Sequence, residues 1–374
     1  MAMQQLCGDA CPRSRRRAFA LQCLYTFLHL CRLRDPIINK VAFRPPSKHG
    51  YALDKNGNFI LYNYRLPLVY GSDVLRNLGL KCYHVFAPKN GSKRISMLVI
   101  HHGDDFESPA ELSPGNPPKR EFVLFSHGNN TDIGYSFPKC VSLCKNSGVN
   151  LLAYDYSGYG LSDGKVGEKH LFKDIEHAYT YLREELHVPP ENIILYGNSL
   201  GSVTSSYICG KGDRFPVGGM ILEAGLASVM RLQAGSCHAS CRFDVFDNVK
   251  HLKLKALVPT LIMHGTDDTL IPVQHSMYLA QVSEARHAEL LGAAAPAEGQ
   301  STTSSGESRP SSHDSAGGKP PPPIALEKLP EDYIRTWWVP GANHNNIAID
   351  FEDTYDRTVQ TFFQLCKKWR SAKN

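Results

Sequence analysis

The chain has 374 residues, 42% of them hydrophobic and 21% charged, which is enough to bury one large core. No apolar run approaches the roughly 20 residues that a membrane-spanning helix needs. The formal net charge of +5 is confined to residues 1–34, where six arginines stand against one acidic residue, so the rest of the chain is neutral. We expect no nucleic-acid partner.

The first 45 residues form a basic, cysteine-containing segment that we expect to anchor the protein to a membrane surface. Residues 18–31 are largely apolar, and Gln22, Thr26 and His29 share one helical face, which predicts an amphipathic helix. The flanking arginines would meet anionic headgroups. The cysteines in this segment are candidates for S-palmitoylation: Cys7, Cys11, Cys23 and Cys31.

Two other interpretations of this segment stay open. It could be a secretory signal or a signal anchor, but no small-residue cleavage site follows it. It could also be a helix packed on the domain. We expect a peripheral membrane protein on the cytoplasmic face of the plasma membrane or an endomembrane, with signal anchoring as the alternative. The remaining seven cysteines lack zinc-finger spacing and indicate reduced thiols.

Residues 46–374 alternate strand-like and helix-like segments, which predicts a mostly parallel sheet flanked by helices. The predicted strands cover 81–87, 96–101, 121–126, 150–154, 193–196, 218–223, 258–264 and 334–339. Helices are predicted at 169–185 and 355–369. Two insertions interrupt the pattern: an acidic, Pro-rich surface loop at 103–119 and a disordered, low-complexity stretch at 292–323.

The pentapeptide Gly197-Asn198-Ser199-Leu200-Gly201 directly follows a strand-like run. A G-x-S-x-G motif in that position presents a serine nucleophile on a sharp turn into a helix, and the turn needs small residues on either side. The same turn points the following backbone N–H groups at the atom that the serine attacks. We therefore predict Ser199 as a nucleophile.

A serine nucleophile needs a base to take its proton and an acid to orient that base, and with this motif they follow in the order acid, then His. Asp267 and Asp268 both follow the strand at 258–264. Asp268 has the better spacing to the flanking glycine and isoleucine, so we predict it as the acid, with Asp267 as the alternative. His344 follows the strand at 334–339 and is the predicted base.

Negative charge on the attacked carbonyl oxygen requires hydrogen-bond donors aimed at it. The backbone N–H of Leu200 is one predicted donor, since it opens the helix after the nucleophile. The loop after the strand at 121–126 should supply the second, and we predict the N–H of Asn129, with Asn130 as the alternative. We expect His127 to support this loop and not to act as a second base.

Five segments together resemble the α/β-hydrolase domain-containing protein 17 family and its Bem46-like relatives: 41–46, 125–129, 154–160, 194–201 and 264–268. The resemblance implies the α/β-hydrolase fold, with a mostly parallel central sheet flanked by helices and a minimal cap. It also implies that Ser199, Asp268 and His344 are nucleophile, acid and base. Members of the family remove palmitoyl groups from protein cysteines at membranes, so the resemblance implies S-acylated proteins as substrates.

The cap of this fold grows between the sixth and seventh core strands, here Glu223 to Val258. This interval has room for a short lid over Ser199 but not for a deep cap. We predict a serine hydrolase that removes palmitate from S-acylated membrane proteins. The alternatives are a carboxylesterase acting on acyl lipids or small esters, and a non-catalytic membrane scaffold. The sequence contains no metal site or nucleotide loop that would require a cofactor.

Overall fold

A computed structural model describes residues 12–62, 72–88, 93–235, 239, 241–253, 258–290 and 333–371. Cys7, Cys11 and the predicted insertion at 292–323 lie outside the described residues. The helices are α1 (Pro12–Leu30), α2 (Arg34–Ala42), α3 (Ser72–Asn77), α4 (Ile133–Ser147), α5 (Glu168–Thr180), α6 (Gly201–Gly210), α7 (Val229–Ala234), α8 (Asn248–Leu252), α9 (Gln274–Leu290), α10 (Ile347–Asp350) and α11 (Glu352–Ser371). The strands are β1 (Tyr51–Leu53), β2 (Phe59–Leu61), β3 (Leu80–Ala87), β4 (Ile95–His102), β5 (Phe122–Ser126), β6 (Asn150–Tyr154), β7 (Ile193–Asn198), β8 (Gly219–Glu223), β9 (Thr260–Gly265) and β10 (Ile334–Val339).

The described strands after β2 form one sheet in the order β10-β9-β8-β7-β5-β6-β4-β3. Strand β4 is antiparallel to both of its neighbours, β3 and β6, and all other neighbouring strands are parallel. Parallel neighbours need long crossover connections, which the intervening helices supply on the two faces of the sheet. The predicted mostly parallel sheet flanked by helices is confirmed.

Both faces of this sheet are buried. Along β4, Met97 and Val99 belong to one hydrophobic cluster, whereas Leu98 and Ile100 belong to a second. Successive residues of a strand point to opposite faces, so the two clusters lie on opposite sides of the sheet. This explains why the strands are visible in the sequence as continuous apolar runs.

Two predicted elements differ from the structure in detail. The predicted helix at 169–185 is α5 followed by a π-helical turn, Tyr181–Glu185. The predicted surface loop at 103–119 contains a 3-10 turn and is tied to the sheet by Asp105, which accepts hydrogen bonds from the backbone N–H of Lys119 at 2.8 Å and from Asn150 Nδ2 at 2.7 Å.

Helix α1 packs on the domain along one face and leaves another exposed. Tyr25 is 2% exposed and donates a hydrogen bond to Gln233 Oε1, while His29 stacks on Phe243 with ring centroids 4.0 Å apart. Phe19 and Leu30 on the outer face are 68% and 73% exposed. Apolar side chains cover more than one stripe of this helix, so one stripe packs on the domain and another meets solvent. None of the described helices combines the length and apolarity needed to cross a bilayer.

Candidate active site

The nucleophile turn has the geometry that the motif predicts. Ser199 lies between β7 and α6 with φ of 51°, in the left-handed region that non-glycine residues rarely adopt. A Cβ atom on Gly197 would lie 2.4 Å from the carbonyl oxygen of Gly201, and one on Gly201 would lie 2.0 Å from that of Ser126. Only glycine fits at these two positions because the neighbouring atoms are backbone. The strained turn brings the Ser199 hydroxyl to the carboxyl end of the sheet.

Three side chains from distant parts of the sequence form a hydrogen-bonded chain. His344 Nε2 lies 2.9 Å from Ser199 Oγ, and His344 Nδ1 lies 2.6 Å from Asp268 Oδ2. A carboxylate only accepts hydrogen bonds, so Nδ1 carries the proton and Nε2 presents its lone pair to the serine hydroxyl. All three residues are at least nine-tenths buried. This is the arrangement required for a base to remove the serine proton.

Asp268 is the carboxylate that orients the histidine. Its second oxygen accepts hydrogen bonds from the backbone N–H groups of Leu270 at 2.8 Å and Ile271 at 2.9 Å. Burial raises the pKa of Asp268, but hydrogen bonds from His264, His344 and Ile271 outweigh it and hold that pKa below its ordinary value. The alternative acid, Asp267, is exposed and accepts a hydrogen bond from the Thr266 hydroxyl.

A second buried histidine contacts the same carboxylate, and sequence reasoning missed it. His264 Nε2 lies 2.9 Å from Asp268 Oδ2 and 2.8 Å from the carbonyl oxygen of Ile271. Both atoms are acceptors, so Nε2 carries a proton and donates to them. His264 Nδ1 lies 2.6 Å from the hydroxyl of Ser276. The available signal was its position at the end of β9, four residues before the acid.

The predicted oxyanion donors come from two elements: Leu200 is the N-cap residue of α6, and Asn129 belongs to the loop after β5. Within the described residues, neither the Leu200 N–H nor the Asn129 N–H is engaged in a hydrogen bond. A Cβ atom on Gly128 would lie 3.8 Å from Ser199 Cβ, so the loop runs directly beside the nucleophile. His127 faces away: its Nδ1 lies 2.8 Å from the carbonyl oxygen of Gly128, and the side chain is 1% exposed. This position suits support of the loop, as expected.

An ion pair between the buried Glu223 and the half-buried Lys139 lines the cavity together with Ser199. The carboxylate of Glu223 pairs with Lys139 and accepts a hydrogen bond from the Tyr196 hydroxyl at 2.5 Å. The backbone carbonyl of Glu223 also accepts a hydrogen bond from Ser199 N at 2.8 Å. Burial raises the pKa of Glu223, but Lys139 more than offsets this and lowers it below the ordinary value. This pair was not predicted, because its members are 84 residues apart along the chain.

Ser199 and His344 open into a cavity of about 970 Å³, which is in the usual size range of small-molecule sites. Three exposed apolar side chains stand at its rim: Tyr135, Leu270 and Ile349. No described residue between 224 and 253 lines the cavity. The described part of the predicted lid interval therefore does not cover this cavity. The interval instead packs on other elements, with α7 against α1 and α8 against α6.

Of the four predicted lipidation cysteines, Cys23 and Cys31 lie within the described residues, and neither lines the cavity. Cys23 and Cys31 are free and exposed, on and just after α1. Among the described residues, no group of three or more His, Cys, Asp or Glu side chains is arranged to hold a metal ion.

Comparisons with known proteins found a matching family model and curated relatives. A family model described as serine aminopeptidase, S33 matches residues 117–241. The chain is 39% identical over 162 residues to α/β hydrolase domain-containing protein 17C of Xenopus tropicalis, covering 43% of this chain and 51% of that protein. It is 38% identical over 164 residues to the human protein 17B, covering 44% and 56%. The chain thus spans about half the length of the curated relatives it matches.

Among solved structures, an esterase of Pyrococcus furiosus aligns with a TM-score of 0.51 at 15% identity, covering 80% of this chain and 97% of that one. At this identity the likeness concerns the fold alone. Together with the strand order, it confirms the predicted fold, and the relatives confirm the predicted resemblance. The chain has the α/β-hydrolase fold and is similar to the α/β hydrolase domain-containing protein 17 proteins.

Proposed function

We propose that this chain is a serine hydrolase that cleaves acyl thioesters and removes palmitate from S-acylated membrane proteins. The observation that carries the proposal is the hydrogen-bonded chain from Ser199 through His344 to Asp268. It opens into a cavity that Asn129 also lines and that is large enough for an acyl chain. A non-catalytic scaffold would not need to keep these features aligned.

The reaction follows from the positions of these groups. Ser199 Oγ attacks the thioester carbonyl carbon while His344 Nε2 takes its proton, and the Leu200 and Asn129 N–H groups bind the developing oxyanion. When the C–S bond breaks, His344 returns the proton to the leaving thiolate. Water then attacks the acyl-enzyme with His344 again as base, which releases the fatty acid and regenerates the serine.

Three features favour an acyl thioester as the substrate. None of the described residues between 224 and 253 lines the cavity, which suits entry from the surface of a chain carried by a protein. Its rim presents Leu270 and Ile349, which are 63% and 74% exposed and give the acyl chain an apolar surface. A thiol leaving group with an ordinary pKa of about 8.5 needs little protonation help from His344.

A membrane-surface setting is proposed for the same site. Nine of the eleven large hydrophobic side chains exposed in the described residues lie in two groups. The first group is on α1, α2 and their connection, and the second is at the cavity rim: Phe19, Leu24, Phe27, Leu30, Leu33 and Ile37, and then Tyr135, Leu270 and Ile349. Arginines 15–17 are exposed beside the first group and complement anionic lipid. Acylation of Cys23 or Cys31 would add a second anchoring signal.

The activity is tested by following palmitate release from an S-palmitoylated peptide and from a glycerolipid in parallel. The wild type should hydrolyse the thioester at least tenfold faster than the glycerolipid and should react with a fluorophosphonate probe. Ser199→Ala should abolish both reactions. Ser205→Ala is the matched control, because the hydroxyl of this buried α6 serine has no hydrogen-bond partner among the described residues.

Faster hydrolysis of the glycerolipid would favour the carboxylesterase, and a wild type unreactive toward the probe and both substrates would favour the scaffold. Probe labelling that persists in Ser199→Ala would refute the assignment of the nucleophile.

Membrane contact is tested by sedimentation with vesicles of phosphatidylcholine and phosphatidylserine. Burying a Phe or Leu side chain contributes about 1.5–3 kcal/mol, so replacing Phe19, Phe27 and Leu30 by Ser should lower the partition coefficient by more than about 100-fold. Ile60→Ser, which removes a 42% exposed side chain in the β1–β2 hairpin, is the control. Unchanged sedimentation of the triple variant would contradict the proposed surface.

A further inference from the structure

The oxyanion loop, defined as residues 127–132, is tied at both ends to the main domain. The carbonyl oxygen of His127 accepts a hydrogen bond from the Tyr156 hydroxyl at 2.6 Å. Asp132 caps α4 by accepting a hydrogen bond from the backbone N–H of Tyr135. Asn129, whose N–H is the proposed oxyanion donor, lies between these two ends. Its position therefore depends on what holds the middle of the loop.

The Asn129 side chain joins the middle of this loop to the N-terminal arm, defined as residues 12–50. Asn129 Nδ2 donates to the carbonyl oxygen of Ala42 at 2.6 Å, and Asn129 Oδ1 accepts from the backbone N–H of Arg44 at 2.9 Å. Oδ1 also accepts from the Tyr159 hydroxyl at 2.6 Å. A single amide side chain thus engages a carbonyl and an N–H of the arm together with one side chain of the domain.

A second contact follows six residues further along the arm. The backbone N–H of Gly50 donates to Asp132 Oδ2 at 2.8 Å. A Cβ atom on Gly134 would lie 2.3 Å from the carbonyl carbon of Gly50, so the arm passes directly over the start of α4. The arm therefore contacts the oxyanion loop at both Asn129 and Asp132.

The other side of the arm packs on the chain between Glu223 and Val258. Phe43 is 4% exposed and meets the edge of Phe246 with ring centroids 5.3 Å apart. Arg34 donates a hydrogen bond to the carbonyl oxygen of Phe243 at 3.3 Å. The arm is thus a packed element that lies between residues 224–253 and the oxyanion loop.

We propose that the Asn129 side chain is a positioning residue that fixes the oxyanion-hole N–H by fastening its loop to the N-terminal arm. The inference rests on the proposed function, because it assigns a part in that reaction. An oxyanion donor works only when held within about 0.5 Å of its position, and a loop held only at its ends lacks this precision. The arm is therefore part of the catalytic unit, in addition to being the surface proposed to meet lipid.

The first test compares steady-state kinetics of wild type and Asn129→Ala on a water-soluble acyl thioester. The variant keeps the backbone N–H but loses all three side-chain hydrogen bonds. Because loss of one oxyanion donor costs about 100- to 1,000-fold in kcat, we expect misplacement to lower kcat about 10- to 100-fold, with KM within about twofold. Asn58→Ala, which removes an amide bonded to Asp54 in the β1–β2 turn, should leave both parameters unchanged.

The second test removes the contact from the arm side. Arg44→Pro and Arg44→Ala both lack the guanidinium group, but only the proline variant lacks the N–H that donates to Asn129. Phe43 is already extended at ψ 137°, as a residue before proline must be. We expect kcat of Arg44→Pro to be about tenfold lower than that of Arg44→Ala. This pair decides the question if Asn129→Ala does not fold.

An Asn129→Ala variant with wild-type kcat and a lowered unfolding midpoint would show a merely structural contact and overturn the inference. Equal kcat values for the two Arg44 variants would overturn it as well. A wild type that does not hydrolyse the thioester would instead refute the proposed function, so the two failures are distinguishable.

Discussion

Asp268→Asn should change the hydrogen bonds that hold His344 and thereby lower kcat. The carboxylate receives hydrogen bonds from two backbone N–H groups on Oδ1 and from two histidines on Oδ2. An asparagine has one acceptor oxygen and one donor NH2 group. If the oxygen keeps the backbone pair, the NH2 group faces His264 and His344, and both rings must then present a lone pair to it.

This exchange moves the proton of His344 to Nε2. The protonated Nε2 then points at Ser199 and can no longer accept the serine proton. We therefore expect kcat to fall by about 10⁴, equivalent to about 5 kcal/mol in the activation barrier. His264 would also lose its hydrogen bond to the carbonyl oxygen of Ile271, which should lower the free energy of unfolding by about 1–3 kcal/mol.

The assay is hydrolysis of a short-chain nitrophenyl ester together with the rate of fluorophosphonate labelling, with urea unfolding measured on the same samples. Asp267→Asn is the matched control, because that carboxylate is exposed, and its kcat should stay within about twofold of wild type. If Asp268→Asn retained more than about a tenth of the wild-type kcat, the role of this carboxylate in orienting His344 would be refuted.

Two further substitutions test the packing and the pH dependence. Gly201→Ala would place a Cβ atom 2.0 Å from the Ser126 carbonyl oxygen, so urea unfolding should show a loss of more than about 3 kcal/mol, whereas Gly115→Ala has open space around it and should be near neutral. Burial raises the pKa of Asp174 to about 7 despite hydrogen bonds from Ser157, so the folded state keeps a proton that the unfolded state loses near its ordinary value of 3.8. The free energy of unfolding should then fall by up to about 4 kcal/mol as pH rises between these two pKa values. Asp174→Asn, which mimics the protonated form, should flatten the dependence of the unfolding free energy on pH. Parallel pH profiles for the two proteins would contradict this.

Much of the sheet was predictable because both of its faces are buried. The strands at 150–154 and 334–339 have the predicted bounds, since an apolar run between polar turns is readable without tertiary information. The hairpin β1–β2 was not predicted, because its two strands have three residues each and their burial depends on packing against α4.

The candidate site divides in a similar way. The order of Ser199, Asp268 and His344 along the chain was the basis for predicting all three, and the structure joins them in one hydrogen-bonded chain through His344. The contacts that hold them were not accessible to sequence reasoning. The Asn129 amide meets Arg44 across 85 residues, and only the tertiary fold determines that pairing.

The length of the interval between Glu223 and Val258 indicates how much chain is available but not which surface it covers. A buried Arg231, paired with Asp244 and Asp247, holds the interval together, and α1 packs against it. None of the described residues of this interval lines the cavity, and sequence length alone could not have predicted that.

The central claim is that Ser199 forms a covalent acyl-enzyme, and mass spectrometry of the protein during turnover tests it most directly. After rapid acid quenching of a reaction with a long-chain acyl thioester, we expect one acyl group on the peptide that contains Ser199 and none in Ser199→Ala. An acyl group on another residue, or hydrolysis at the wild-type rate by Ser199→Ala, would contradict the account.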